Sequence, residues 1–209
     1  RLACIAGRYA KRHMPDQPVC LITDSGTWDW FSKGPYADHA EQAFDDVVIA
    51  AADARANKRT HWDSPYHSFA SDFKNGNKHK VFSYTPYDQT LLLDIDYVMM
   101  NDSLKWVFES DMPVAMYHQA EDLIRQPMPL PQQHLSTHGI PMVWSTAVYF
   151  DKRHELTKLF FDVWEHVGDH YDFYKFLYGF PGTMYRTDYC VSIANHILNG
   201  MGHGELIND

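Results

Sequence analysis

The stretch Thr90-Leu-Leu-Leu-Asp94-Ile-Asp96 predicts a buried strand that ends in two carboxylates. Three consecutive leucines bounded by polar residues are typical of a strand covered on both faces. Because side chains alternate along a strand, Asp94 and Asp96 point to the same side. Two neighbouring anions repel each other unless a cation neutralises them, and hard oxygen ligands suit Mg²⁺ or Mn²⁺. The alternative interpretation is a strand that ends in a solvated acidic turn.

Outward from this strand, apolar segments alternate with helical patterns. We predict strands at 19–23, 47–50, 91–93, 113–117 and 142–150, helices at 2–10, 66–73, 104–108, 156–167 and 190–198, and loops at 26–35 and 126–141. The alternation indicates one three-layer α/β domain over residues 1–209. The first predicted element is a helix that leads into a strand, so we expect a further, first strand before it. In such sheets ligands bind beyond the carboxyl ends of the strands.

Composition excludes several classes of protein. Acidic residues number 27 and Lys plus Arg 18, for a net charge of −9, which argues against a general nucleic-acid binder but leaves room for a local basic groove. The three cysteines lie far apart, which favours a reducing cytoplasm over a disulfide framework. A run of 18 apolar residues is absent from the sequence, so we expect no membrane span.

Two later segments follow the acidic strand in a recognisable order. Val143-Trp-Ser-Thr-Ala-Val-Tyr-Phe150 is a strand that starts with small polar residues, and Tyr185-Arg-Thr-Asp-Tyr189 opens a helix with an aspartate. Together with 83–96 and 18–24, these segments resemble GT-A glycosyltransferases that carry an Asp-x-Asp motif, similar to glycogenin-like and bacterial or phage nucleotide-sugar transferases. The resemblance covers about residues 1–200. It departs from the family at Trp144, where Asn is usual, and after Asp188, where Gln is usual.

The resemblance implies a Rossmann-like α/β/α domain with a mixed central sheet and a bound Mn²⁺ or Mg²⁺. It implies transfer of a sugar from a nucleoside-diphosphate sugar, most commonly a UDP-sugar, to an acceptor that the sequence does not identify. A modified DNA base is one acceptor to consider, and the compartment would then be the cytoplasm of a bacterial host. Two other functions stay open: nucleotidyl transfer on a similar scaffold, and a non-catalytic module that binds carbohydrate or a partner.

The resemblance also assigns roles to individual residues. It implies metal binding by Asp94 and Asp96, donor binding by Asp24, Lys78, Lys80 and Ile95, sugar or acceptor binding by Trp144, Ser145, Thr146 and Arg186, and a catalytic role for Asp188. The family's C-terminal metal-binding His has no clear match, and His203, which lies between two glycines that allow close backbone approach, is our candidate for a third metal ligand. Each has a structural alternative: a helix cap for Asp188, a solvated helix face for the lysines, a flexible tail for His203 and ordinary strand positions for Ser145 and Thr146. If Asp188 deprotonates the acceptor, the reaction inverts; if it supports an ion-pair transition state, retention follows.

Overall fold

A computed structural model of the chain describes residues 2–51, 57–64, 66–73, 76–119, 134–135, 139–180 and 184–200. The helices are α1 Leu2–His13, α2 Ser25–Ser32, α3 Ala37–Ala43, α4 Val81–Tyr84, α5 Glu155–Asp169, α6 Tyr171–Tyr178 and α7 Thr187–Leu198. The strands are β1 Cys20–Thr23, β2 Asp46–Ile49, β3 Asn57–Ser64, β4 His67–Phe73, β5 Gln89–Leu93, β6 Val114–Tyr117 and β7 Trp144–Asp151. Single 3₁₀ segments span Lys78–Lys80 and Lys105–Glu109.

The strands form three groups. β1 and β2 are parallel, β3 and β4 form an antiparallel hairpin, and β7 lies antiparallel between β5 and β6. The chain is therefore a mixed α/β protein, as the sequence predicts. A single continuous GT-A sheet stays a prediction, because β1 and β5 are not paired with each other in the described part of the chain.

Strand β7 lies at the centre of the main core. Its alternate side chains face two directions, as the period of a strand requires. Val148 and Phe150 are fully buried in a cluster that includes Trp164 of α5, Val191 of α7 and their neighbours. Tyr149 points to the opposite face and packs in a smaller cluster with residues of β6 and the second 3₁₀ segment. The start of β7, where Ser145 lies, is thus held between two packed layers.

Three predictions of local structure are wrong. The spacing at 66–73 matches a helix, but residues 67–73 form strand β4, which pairs in antiparallel register with β3. The predicted loop at 26–35 contains helix α2, since the Asp24 side chain caps it by accepting from the Thr27 N–H at 2.9 Å. The segment at 104–108 is a 3₁₀ turn rather than an α-helix, and α6 was not expected. The other predicted helices and strands are confirmed within a few residues.

None of the helices in the described ranges is long and apolar enough to cross a membrane. All three cysteines carry free thiols, and Cys4 and Cys190 are buried. The first helix is fixed by close packing on α3, where a Cβ at Gly7 would lie 2.8 Å from the Ala43 carbonyl oxygen.

A cavity of about 390 Å³ separates β1 from β5 and is covered by small side chains of α1. The Val19 and Thr23 carbonyls accept from the β2 side, so the alternate backbone groups of Cys20 and Ile22 face the cavity. On β5 the Asp94 N–H donates to Thr146, so the backbone groups of Leu91 and Leu93 face it from the other side. In the described part of the chain no strand pairs with either of these two edges, and the expected first strand stays a prediction.

We predict that the backbone amides of Leu91 and Leu93 exchange with solvent deuterium at least about tenfold faster than that of Leu92, because only Leu92 donates to β7. The measurement is residue-resolved hydrogen exchange of the 209-residue chain. Leu92 is the internal control, since it lies between the two test positions. Equal protection at all three amides would contradict the open edge and would indicate that another strand pairs there.

Candidate active site

A second cavity, of about 990 Å³, opens where β1, β2 and β5 end. It receives side chains from the ends of these strands, from the 3₁₀ segment before α4, from the start of β7 and from the start of α7. The charged residues that line it are Asp24, Lys78, Asp94, Asp96, Arg186 and Asp188. The sequence segments 90–96, 143–150 and 185–189 therefore contribute to one site, although up to about 90 residues separate them along the chain.

The two carboxylates of the acidic strand lie in a tight turn. The Asp94 N–H donates to the Thr146 carbonyl at 2.9 Å, and the Asp94 carbonyl accepts from the Tyr97 N–H at 2.9 Å. This turn exposes Asp96 and leaves the Ile95 side chain 62% exposed beside the cavity. Asp94 is the more enclosed carboxylate, and Asp96 is the one that incoming solutes reach first.

Lys78 connects the two halves of the site. Its Nζ donates to Asp94 Oδ1 at 2.5 Å and also to the Ser145 carbonyl oxygen. The Lys78 side chain is 14% exposed, whereas that of Asp94 is 41% exposed. The ammonium group therefore bridges the end of β5 and the start of β7 from the buried side.

The pKa of Asp94 is raised above its ordinary value. Burial is the main cause, because it disfavours the charged carboxylate, and the nearby Asp96 and Asp188 add to it. The Lys78 ammonium acts in the opposite direction. In this part of the cavity the three carboxylates of Asp94, Asp96 and Asp188 therefore lie among two basic groups, those of Lys78 and Arg186.

Asp188 is held by three donors. Its Oδ1 accepts from the Ser145 N–H at 3.0 Å and the Ser145 hydroxyl at 2.9 Å, and its Oδ2 accepts from Arg186 at 3.1 Å. The Arg186 guanidinium also lies over the Tyr189 ring, 4.7 Å from its centroid. Asp188 does not cap α7, since the N-cap is Arg186 and no side-chain hydrogen bond is made there. Its carboxylate is instead directed to β7.

A second contact fixes α7 against β7. Ser192 donates to the Asp188 carbonyl at 2.6 Å and accepts from the Val143 N–H at 2.9 Å. Ser192 is 1% exposed, so both bonds form away from water. The backbone on either side of Trp144 and Ser145 is therefore tied to one turn of α7.

The remaining predicted residues differ in placement. Trp144, Thr146, Ile95 and Asp24 line the cavity, and Asp24 is committed to capping α2, since Thr27 donates to both of its oxygens. Lys80 is not among the described residues that line the cavity, so the structure separates it from the site. His203 lies outside the described residues.

Several lining residues were missed by the sequence analysis. Asn77 and Tyr84 flank the segment that carries Lys78, and neither belongs to a motif. Tyr117 is not one of the lining residues, but it lies near Thr146, and burial raises the pKa of its phenol. The pairing of β6 and β7 is irregular between Met116 and Tyr117, which turns Tyr117 towards Trp144. A bulge of this kind gives no sequence signal.

The protein supplies only part of the ligand set that a hard divalent cation needs. The described residues contain no cluster of three or more His, Cys, Asp or Glu able to hold a metal ion. Asp94 and Asp96 are carboxylates that share the cavity, and Mg²⁺ is commonly held by one or two carboxylates with water and substrate phosphates as the other ligands. The residues present therefore fit a cation that is bound jointly with a phosphate-bearing substrate.

We predict that Asp188→Ala lowers the free energy of unfolding by about 1–3 kcal/mol, because it leaves the buried Ser145 N–H without its acceptor. Asp188→Asn retains an oxygen that can accept from Ser145 and is expected to cost less than half as much. Urea denaturation measures both. Asp16→Ala, at an exposed turn, is the control and should change stability by less than about 0.5 kcal/mol. Equal losses in both Asp188 variants would contradict the assignment.

The chain was compared with protein-family models, with curated proteins and with solved structures. None of the three comparisons found a match. The resemblance to GT-A glycosyltransferases therefore rests on the sequence motifs alone.

Proposed function

We propose that this chain is a metal-dependent glycosyltransferase that moves a sugar from a nucleoside-diphosphate sugar to an acceptor. One observation carries the proposal: the three segments that resemble the GT-A motifs meet in a single cavity of about 990 Å³ at the carboxyl ends of the strands. Unrelated motif matches have no reason to converge in space. A volume of this size also accommodates a nucleotide-sugar.

The chemistry of the proposed reaction follows from the leaving group. A nucleoside diphosphate departs with added negative charge, which a bound Mn²⁺ or Mg²⁺ stabilises as a Lewis acid. Asp96 is our candidate for direct coordination, and Asp94 either coordinates or contacts the ribose. Lys78 and Arg186 supply positive charge on two sides of the same cavity.

The Ser145 and Asp188 pair suits the sugar end of the donor. The Asp188 carboxyl group is held by Ser145 and Arg186, so its oxygens can face positive charge that develops at the anomeric carbon. Trp144 and Thr146 line the cavity on either side of Ser145 and offer contacts to sugar hydroxyls. We propose the cytoplasm as the compartment, because the three thiols are free. The acceptor and the donor sugar stay open.

We predict Mn²⁺- or Mg²⁺-dependent release of nucleoside diphosphate from one of a panel of nucleotide-sugars. Asp96→Ala should lower this rate at least about 100-fold, in line with the loss of a key electrostatic contact in a transition state. Because Asp96 is exposed, its removal leaves the core intact, which circular dichroism checks. Excess chelator should abolish turnover of the wild-type protein.

Asp102→Ala is the matched control, since Asp102 is a nearby exposed aspartate that does not line the cavity. It should retain wild-type activity. Full activity of Asp96→Ala, or full activity in chelator, would refute the proposal. Equal binding of UDP with and without Mn²⁺ in calorimetry, without turnover, would favour a non-catalytic binding module. Release of pyrophosphate from a nucleoside triphosphate would favour nucleotidyl transfer.

A further inference from the structure

The Lys78 ammonium is bound to one of the two oxygens of the Asp94 carboxylate. Its Nζ lies 2.5 Å from Asp94 Oδ1, and the same group donates to the Ser145 carbonyl. The Lys78 side chain is only 14% exposed, so the surrounding residues fix its position, as they would not for a lysine at the surface. A cation that uses this oxygen of Asp94 must compete with the ammonium or displace it.

Charge in the cavity acts differently on a diphosphate and on a cation. Four aspartates and two basic residues line it, which leaves a net charge of −2 from 4 negative and 2 positive groups. This surplus repels a free diphosphate, while the Lys78 ammonium repels a free divalent cation near Asp94. A cation and a diphosphate that enter together present little net charge and give Lys78 a new acceptor.

We propose that Lys78 couples cation binding to diphosphate binding: it holds Asp94 in the empty site and moves to the diphosphate when that group arrives, which frees Asp94 for the cation. The lysine side chain suits this exchange, because it is a compact charge on a flexible stem. The inference rests on the proposed function and adds an order of events to it. By linkage, the cation and the diphosphate strengthen each other's binding by the same factor.

The experiment measures Mn²⁺ binding by the paramagnetic resonance signal of the free ion, with and without saturating UDP, after subtraction of the Mn²⁺ that UDP binds in protein-free solution. In the wild-type protein UDP should tighten Mn²⁺ binding at least about tenfold, within the usual range for coupled sites. Lys78→Met keeps the length of the stem and removes the charge. It should bind Mn²⁺ alone about five- to tenfold more tightly than the wild type, and the factor by which UDP tightens binding should fall at least about threefold below that of the wild type, to the part that direct contact between phosphate and cation supplies.

Lys80→Met is the matched control, because Lys80 belongs to the same 3₁₀ segment but does not line the cavity. Its Mn²⁺ affinity and the effect of UDP should equal those of the wild type. Lys78→Gln is a second neutral variant that retains donors for Asp94 and Ser145. It replaces Lys78→Met if that variant does not fold, and it should show the same two changes, tighter binding of Mn²⁺ alone and a smaller effect of UDP. Lys78→Arg keeps the charge and should retain most of the coupling.

The outcomes separate the two proposals. If Mn²⁺ and UDP bind but neutral variants at Lys78 keep the wild-type effect of UDP, or bind Mn²⁺ alone more weakly, the coupling role is wrong and the proposed function stands. If the wild-type protein binds neither Mn²⁺ nor UDP, both proposals fall. The coupling is supported only if the neutral variants show both expected changes. They must bind Mn²⁺ alone more tightly than the wild type, and UDP must tighten their Mn²⁺ binding less than it does in the wild type.

Discussion

The Lys78 ammonium lies between the Asp94 carboxylate and the Ser145 carbonyl, and the arrangement of the site depends on this bridge. Asp94 ends an apolar strand, so its charge is partly withdrawn from water, and Asp96 and Asp188 add repulsion. Without an internal cation these groups would favour a more open turn. The ammonium holds the end of β5 against the start of β7 and keeps the carboxylates in one cavity.

A second set of bonds extends the bridge to α7. Asp188 accepts from the Ser145 backbone and hydroxyl, and Ser192 of the next turn binds the backbone at Val143. Ser145 therefore takes part in both systems, through its carbonyl towards Lys78 and through its N–H towards Asp188. A displacement of Lys78 from the Ser145 carbonyl leaves the contacts to α7 in place, so the charge near Asp94 can change while the backbone of β7 stays fixed.

The sequence predicts the elements whose own burial decides their conformation. The strand at 91–93, the stripe of α5 and the apolar run of β7 are long or strongly periodic, and all three are confirmed. The error at 66–73 has a specific cause: Tyr66, Phe69, Ala70 and Phe73 match a helical period, yet pairing with β3 decides the structure. The sequence predicts ligand binding by Asp24 and, because of Gly26, a loop after it, whereas in the structure Asp24 caps helix α2.

The sequence identifies candidate site residues where a motif lies at the end of a strand, and it gives no signal for residues that long-range contacts bring to the cavity. The leucines before Asp94 and Asp96 mark these two residues as the end of a buried strand. Lys78 and Lys80 have no such difference in sequence, and only the structure shows that Lys78 lines the cavity and Lys80 does not. The direction of each side chain in the 3₁₀ segment depends on the turn that follows Asn77. The residue that bridges the site is therefore specified by backbone geometry and not by its type. For this reason the charge of the side chain at position 78 matters to the cavity, whereas the charge at position 80, which does not line the cavity, does not.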